Sequence, residues 1–213
     1  MKKSLLFDMD GTLYPLEKDD FYKTELYLKI ENNTIFYLKE KLSLTEKEAE
    51  NCYLKIKEKY PRLYSFGLNK EYGINKEEYL NFCWNFNPSK FVKKLFNPKE
   101  VIKYLNKDYQ TILVSDAPLI WVNNVKEYLD MNNLFNETFS GAQLCLRKKE
   151  GLFDLIVRSL GLNPKDSYVI GDEEENDILP AKNLGLHTFY VGLKEFSSSE
   201  FKIKNITELT KYL

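Results

Sequence analysis

Asp8 and Asp10 are the residues of this chain whose type and spacing best suit chemistry. They are separated by one residue and directly follow an apolar run at residues 5–7 that predicts a strand. Side chains two positions apart on an extended chain point the same way, so both acids face one spot. Gly11 comes next and can adopt backbone angles that are costly for other residues. Because two such acids repel each other unless one is protonated or a cation lies between them, the pattern indicates catalysis rather than a folding device.

Three later segments carry polar side chains that suit the same kind of chemistry. Ser115 follows an apolar run at residues 112–114, a basic cluster occupies residues 147–149, and Gly171-Asp172 follows an apolar run at residues 168–170. Ligands of parallel sheets collect at the carboxyl ends of the strands. If the apolar runs are parallel strands, these segments therefore meet beside the first pair of acids.

Apolar runs of strand length alternate with helical segments through most of the chain. Helices are predicted from near Pro118, over residues 152–160 before Gly161, and over residues 177–184 before Gly185. This alternation predicts an α/β fold, a Rossmann-like parallel sheet with helices on both faces. The predicted strands lie at residues 5–7, 112–114, 168–170 and 188–191, with a weaker one at 138–140.

Residues 15–96 interrupt this alternation with a purely helical pattern. A capping box that begins at Thr45 predicts one helix, and Asn75 caps another. Asn97-Pro98 begins the helix that leads back to the sheet. We therefore predict an inserted all-helical domain at residues 15–96 and an α/β core at residues 1–14 and 97–213.

Composition limits the partners of the protein. With 213 residues, 43% hydrophobic content and a net charge of −1, the chain is typical of a folded globular protein of one large or two small domains. The near-zero charge gives no electrostatic grip on a nucleic acid polymer or an anionic membrane. The sequence begins directly in a strand, and no apolar run approaches the ~20 residues that span a bilayer. We expect a cytoplasmic monomer or homodimer that acts on a small molecule.

Cysteine and histidine usage narrows the chemistry. Cys52, Cys83 and Cys145 are odd in number and lack the spacing of metal ligands, so we expect buried thiols in a reducing cytosol. His187 is the only histidine, which argues against a histidine-built zinc site and against a serine–histidine triad. We expect His187 to be structural, at the head of a strand.

The first and last motifs resemble those of the haloacid dehalogenase-like hydrolase superfamily, whose members are mostly magnesium-dependent phosphatases. Residues 8–12 match its Asp-x-Asp-Gly-Thr motif, and Gly171-Asp172 through Asp177 match its Gly-Asp-x-x-x-x-Asp motif. The helical insertion resembles the cap domain of that family in its first position. The resemblance therefore covers the chain from end to end.

This resemblance implies a nucleophile, an acid and a metal site. Asp8 would attack phosphorus and form an aspartyl phosphate. Asp10 would protonate the leaving oxygen and then take a proton from water. Mg²⁺, a hard ion that prefers oxygen ligands, would be held by Asp8, Asp172 and the main-chain carbonyl of Asp10.

The resemblance also implies groups that bind phosphate. Ser115 would donate a hydrogen bond to a phosphate oxygen, and Lys148 would supply fixed positive charge. Thr12 and Asp177 would support the metal ligands and the lysine. Asp177 also suits the first turn of a helix, where the helix dipole favours an acid.

Two positions depart from the family pattern. The family often has Lys-Pro where this chain has Lys148-Lys149, so Lys149 is a rival for the phosphate contact. Asparagine commonly follows the hydroxyl residue of the second motif, whereas this chain has Asp116. Asp116 would add negative charge near the phosphate unless it turns away or pairs with a lysine.

The helical insertion is expected to select the substrate. Its segments at residues 64–68, 71–74 and 78–80 loosely resemble the cap of the pyrimidine 5′-nucleotidase branch, which favours a nucleoside monophosphate among small phosphorylated metabolites. A phosphomutase of the β-phosphoglucomutase kind uses the same two aspartates and is an alternative. A non-catalytic binding protein on the same fold is another. A dehalogenase is disfavoured because its chemistry does not need Asp10.

Overall fold

The computed structural model describes residues 2–17, 20–193 and 197–213. The chain forms two compact units. The sheet unit comprises Met1–Pro15 and Pro88–Leu213, and the helical unit comprises Leu16–Asn87. The helical unit thus ends before the predicted boundary at residue 96, because the residues that follow it pack on the sheet unit. The ring of Phe91, for example, meets the ring of Trp121 edge-on, with 6.5 Å between their centroids.

The sheet unit is built on six strands that pair in parallel. The residues of the central strand are buried on both faces, which requires cover on both sides of the sheet and agrees with the predicted α/β fold. The last strand was not predicted from the sequence, because three residues give little pattern to read. In spatial order the strands are β3 (Glu137–Ser140), β2 (Tyr109–Ser115), β1 (Lys3–Phe7), β4 (Ser167–Gly171), β5 (His187–Val191) and β6 (Phe201–Ile203).

The helical unit contains α1 (Glu25–Leu42), α2 (Glu46–Lys59), α3 (Tyr64–Tyr72) and α4 (Lys76–Trp84). Both predicted caps are confirmed: Thr45 closes a capping box with Glu48, and Asn75 Oδ1 accepts the Glu78 N–H at 3.0 Å. The sequence prediction lacked α1, because polar residues at 32–34 interrupt its apolar stripe. Tyrosine hydroxyls join these helices inside the unit, with 2.8 Å between those of Tyr27 and Tyr53.

Five α-helices belong to the sheet unit within the described residues. The predicted helix starts at Pro118 and at residue 152 are confirmed. The helix predicted at 177–184 begins earlier, as a π-helical turn at Glu174–Ile178, because the Asp177 side chain folds back onto the N–H of Glu173 at 2.9 Å. The helices are α5 (Pro98–Leu105), α6 (Leu119–Tyr128), α7 (Gly141–Leu144), α8 (Leu152–Ser159) and α9 (Leu179–Asn183).

The cysteines and the histidine lie outside the sheet edge that carries the motifs. Cys52 and Cys83 are buried as predicted, but Cys145 is only half-buried, since it follows α7 in a left-handed conformation with φ of 51°. His187 begins β5, and its ring nitrogens lie 2.7 Å from the Glu200 carboxylate and 3.1 Å from the Lys165 carbonyl. In the described ranges, no helix has both the length and the apolar character needed to cross a bilayer.

Candidate active site

The central strands bring the polar motifs to one edge of the sheet. Phe7 at the end of β1 is in register with Leu113 of β2 and Ile170 of β4. The main-chain N–H of Asp8 donates to the Ile170 carbonyl at 2.9 Å, so the strand pairing extends into the first motif. The chain continues from β1 to β2 on one side and reaches β4 on the other, which makes this edge a topological switch point. It carries Asp8, Ser115 and Asp172.

The Asp8 side chain is buried, and both of its oxygens accept hydrogen bonds. Oδ1 lies 2.5 Å from Lys148 Nζ, and Oδ2 lies 3.0 Å from Thr12 Oγ1. The Thr12 hydroxyl is also 3.3 Å from Asp172 Oδ1, although its one hydrogen serves one acceptor at a time. Asp8 is therefore oriented by a fixed cation on one oxygen and a hydroxyl on the other.

Asp8, Asp172 and Asp177 form an acid cluster, in which one carboxylate oxygen from each lies within 4.8 Å of the others. Two glycines permit this approach. A Cβ atom on Gly11 would lie 2.1 Å from Asp172 Oδ2, and one on Gly171 would lie 2.4 Å from the side chain of Asp177. Gly11 also has a φ of +96°, which other residues rarely adopt. A Cβ atom at either position would therefore displace an acid of the cluster.

Lys148 lies between two members of the acid cluster. Its Nζ is 2.5 Å from Asp8 Oδ1 and 2.5 Å from Asp177 Oδ1, and the side chain is 5% exposed. Burial alone would lower the pKa of Lys148, but the charges of Asp177, Asp8 and Asp116 raise it well above its usual value, so it stays charged. Lys149 is exposed. The structure thus brings Lys148, and not its neighbour, to Asp8.

The Asp10 carboxylate lies outside the acid cluster and is held by three other side chains. Oδ1 accepts hydrogen bonds from the Tyr14 hydroxyl and from Trp121 Nε1, the latter at 3.1 Å. Oδ2 lies 3.4 Å from Ser115 Oγ. Burial raises the pKa of Asp10, and the hydrogen bonds from Tyr14 and Trp121 oppose that shift. Neither aromatic donor was predicted from the sequence, since their contacts arise from a turn and a helix that the motifs do not specify.

Asp116 does not turn away, and its partner is an arginine rather than a lysine side chain. Its Oδ1 accepts the main-chain N–H of Lys148 at 3.0 Å, and its Oδ2 lies 3.7 Å from Nε of the buried Arg147. Nη2 of Arg147 donates to Asn176 Oδ1 at 3.0 Å. The negative charge that this chain has in place of asparagine is therefore matched by a neighbouring guanidinium.

A sequence profile of the haloacid dehalogenase-like hydrolase family matches residues 5–191. That range includes every member of the acid cluster, together with Asp10, Ser115 and Lys148. The chain belongs to the haloacid dehalogenase-like hydrolase family.

Solved structures show the same fold for this haloacid dehalogenase-like hydrolase. A phosphatase of the family from Thermococcus onnurineus is 20% identical, with a TM-score of 0.67 over 99% of this chain and 97% of that one. A 2-haloacid dehalogenase from Pseudomonas syringae is 14% identical, with a TM-score of 0.65 over 99% and 97%. The hydrolase YfnB from Bacillus subtilis, bound to magnesium, is 19% identical, with a TM-score of 0.59 over 100% and 98%.

The acid cluster of this hydrolase fits a hard divalent cation. Its donors are carboxylate oxygens, which such ions prefer. Burial, followed by the charges of Asp8 and Asp177, raises the pKa of Asp172 well above its usual value. In the part of the chain that the structure describes, Asp172 has one hydrogen-bond donor, Thr12. The positive charge of Lys148 opposes this shift only in part, so a bound cation would stabilise the ionised form of Asp172.

Proposed function

We propose that this hydrolase is a magnesium-dependent phosphomonoesterase that moves a phosphoryl group from a small metabolite to Asp8 and then to water. The observation that carries the proposal is the buried Asp8 carboxylate, held 2.5 Å from Lys148 Nζ beside two further acids. A phosphate dianion repels a carboxylate that has no cation beside it. A carboxylate fixed beside a lysine and a cation site suits attack on phosphorus.

In the first step an oxygen of Asp8 forms a bond to phosphorus while the bond from phosphorus to the ester oxygen breaks. The ester oxygen keeps the electron pair of that bond and takes a proton from Asp10, which becomes ionised. Lys148 and Ser115 bind oxygens of the phosphoryl group. Thr12 donates to the second oxygen of Asp8 and so keeps the attacking oxygen oriented.

In the second step water attacks the phosphorus of the aspartyl phosphate and gives a proton to Asp10. The bond between phosphorus and Asp8 breaks, and its electron pair remains on the carboxylate. Both aspartates thereby return to their starting states. The net reaction converts a phosphate monoester and water into an alcohol and inorganic phosphate.

Mg²⁺ would be held by Asp8, Asp172 and the main-chain carbonyl of Asp10, where it would neutralise charge on the phosphate. Asp177 has a different part in this proposal. Its oxygens accept hydrogen bonds from Lys148 Nζ at 2.5 Å and from the Glu173 N–H at 2.9 Å. Asp177 therefore holds the lysine in place rather than serving as a metal ligand.

The helical unit would act as a cap that selects the substrate, with a nucleoside monophosphate as the favoured class. Tyr79 is 1% exposed and packs inside the unit, so it is not available to a ligand. The rings of Phe66 and Tyr72 are 41% and 42% exposed. Stacking of a nucleobase on such rings contributes about 1–3 kcal/mol per base. The support for this class is the loose resemblance of residues 64–68, 71–74 and 78–80 to the nucleotidase branch.

The proposal is tested by turnover of p-nitrophenyl phosphate and a panel of phosphorylated metabolites, with Mg²⁺ and with EDTA. We expect release of inorganic phosphate that needs Mg²⁺ and is absent in Asp8→Asn, while that variant keeps the wild-type circular dichroism spectrum. Full activity of Asp8→Asn would remove Asp8 from the nucleophile role. A phosphoryl group that moves within the substrate would instead indicate a mutase, and equal rates for nucleotides and sugar phosphates would remove the support for a nucleotide substrate.

A further inference from the structure

We infer that Trp121 and Tyr14 are positioning residues that hold the Asp10 carboxylate in one orientation for proton transfer. Their hydrogen bonds leave Oδ2 as the oxygen that exchanges the proton. This inference rests on the proposed function, in which Asp10 is the acid and base. It concerns two aromatic side chains that lie outside the motifs of the chain.

The two donors occupy one oxygen of Asp10. The indole Nε1 of Trp121 can only donate, and it lies 3.1 Å from Oδ1. The Tyr14 hydroxyl donates to the same oxygen. A carboxylate oxygen with two donors has both lone pairs engaged, and a proton could bind there only by displacing one of them.

The other oxygen of Asp10 is held far more weakly. Oδ2 has the Ser115 hydroxyl at 3.4 Å, near the outer limit of a hydrogen bond. The Ser115 oxygen also accepts the N–H of Ala117 at 3.1 Å, which fixes it at the start of the loop after β2. Oδ2 is therefore the oxygen that can carry the proton and release it.

The two donors come from separate elements, which restricts the orientation of the Asp10 carboxylate. Tyr14 ends a tight turn in which the Gly11 N–H donates to the Tyr14 carbonyl at 3.0 Å, so its side chain returns to Asp10. Trp121 lies in the first turn of α6 and is fully buried, with the ring of Phe91 against it. Donors from two directions fix the plane of the carboxylate, whereas a single donor would leave it free to rotate. Proton transfer is sensitive to this orientation.

The test separates positioning from general support of the fold. Proton donation by Asp10 matters most for substrates with a poor leaving group and least for p-nitrophenol, which leaves without help. We therefore compare kcat/KM for p-nitrophenyl phosphate with kcat/KM for the alkyl phosphate that the wild type hydrolyses best. Trp121→Phe and Tyr14→Phe each remove one donor and keep an aromatic ring.

We expect each variant to lose about 10-fold or more on the alkyl phosphate and less than about 3-fold on p-nitrophenyl phosphate. Two controls change neighbouring packing or an unrelated hydroxyl: Phe91→Leu beside Trp121, and Tyr104→Phe, whose ring is 48% exposed. Both should leave the ratio between the substrates unchanged. If Trp121→Phe does not fold, Tyr14→Phe decides.

Equal losses on the two substrates, or no loss on either, would overturn the inference while the proposed function stands. A ratio that shifts as much in Phe91→Leu as in Trp121→Phe would overturn it as well. A wild-type protein that hydrolyses neither phosphate would overturn the proposed function itself. The experiment thereby distinguishes the two failures.

Discussion

Asp116 accepts a hydrogen bond from the main-chain N–H of Lys148 at 3.0 Å, so the loop after β2 holds the residue whose side chain meets Asp8. Asp116 and Lys148 are both members of a closed ring of polar contacts. In the ring, each residue contacts the next and the last returns to the first: Asp116, Lys148, Asp177, Glu173, Asn176 and Arg147. The ring joins the loop after β2, the basic cluster at residues 147–149 and the segment after Gly171-Asp172, and it holds a lysine with 5% exposure in one position.

The effects of substituting Asp116 and Arg147 on the free energy of unfolding are expected to be coupled. Asp116→Asn keeps an oxygen for the Lys148 N–H but leaves the buried guanidinium of Arg147 with only the more exposed Glu150 as a counter-charge, so we expect a loss of about 1–3 kcal/mol in the free energy of unfolding. Adding Arg147→Met should recover part of that loss. Urea unfolding of the wild type, both single variants and the double variant measures the coupling.

Glu150 provides a control for this coupling, because it also faces Arg147, at 3.4 Å, but is 41% exposed. Glu150→Gln should cost less than about 0.5 kcal/mol, as expected for a solvent-screened pair. Single-variant effects that simply add in the double variant would show that Asp116 and Arg147 are independent.

Adjacent lysines are expected to behave in opposite ways. Lys148→Met removes the cation shared by Asp8 and Asp177, so we expect p-nitrophenyl phosphate turnover to fall about 10²-fold or more. Lys149→Met changes an exposed side chain and should alter stability by less than about 0.5 kcal/mol and leave turnover within about twofold. Steady-state kinetics on the two variants, with circular dichroism for folding, decides the matter. A larger loss of turnover in Lys149→Met than in Lys148→Met would assign the phosphate contact to Lys149.

The sequence predicted what depends on strand order and missed what depends on side chains from helices and turns. Asp8 and Asp172 follow apolar runs, so the parallel sheet alone places them at one edge. Nothing in the sequence relates Trp121 to Asp10, because that contact depends on how α6 leaves β2 and how far its first turn reaches.

The pairing of Asp116 with a positive charge was likewise only partly predictable from the sequence. Asp116 stood out as an unusual acid, but the two alternatives considered for it, turning away or pairing with a lysine, did not include an arginine. Arg147 Nε lies 3.7 Å from Asp116 because the main chain of the next residue is already bonded to that carboxylate. Such geometry follows from the folded loop and leaves no pattern in the sequence.

Gly171 is expected to be indispensable for activity because of space. A Cβ atom there would lie 2.4 Å from Cβ and Cγ of Asp177, so Gly171→Ala must displace the residue that holds Lys148. We expect a loss of at least about 10-fold in kcat, measured below the unfolding transition. Gly161→Ala is the matched control: its φ of +60° makes alanine cost about 1 kcal/mol, but, its chain neighbours aside, no described residue has an atom within 4 Å of the new Cβ. Unchanged kcat in Gly171→Ala would show that Asp177 is not needed where the structure places it.

Asp172→Asn is expected to lower the free energy of unfolding in Mg²⁺ and to raise it when the metal is removed. In EDTA the half-buried Asp172 carboxylate faces Asp8 and Asp177 and, among the described residues, has one hydroxyl donor, so Asp172→Asn should raise the free energy of unfolding by about 1–3 kcal/mol. In excess Mg²⁺ the wild type gains stability from the bound ion, and the variant, which lacks that ligand, should become the less stable protein. Urea unfolding of both proteins in EDTA and in Mg²⁺ tests this reversal without any assay of turnover. Asp154→Asn, on the exposed side of α8, is the control and should respond to the two conditions as the wild type does. If Asp172→Asn is destabilising in EDTA, or gains as much from Mg²⁺ as the wild type, Asp172 is not a ligand of the ion.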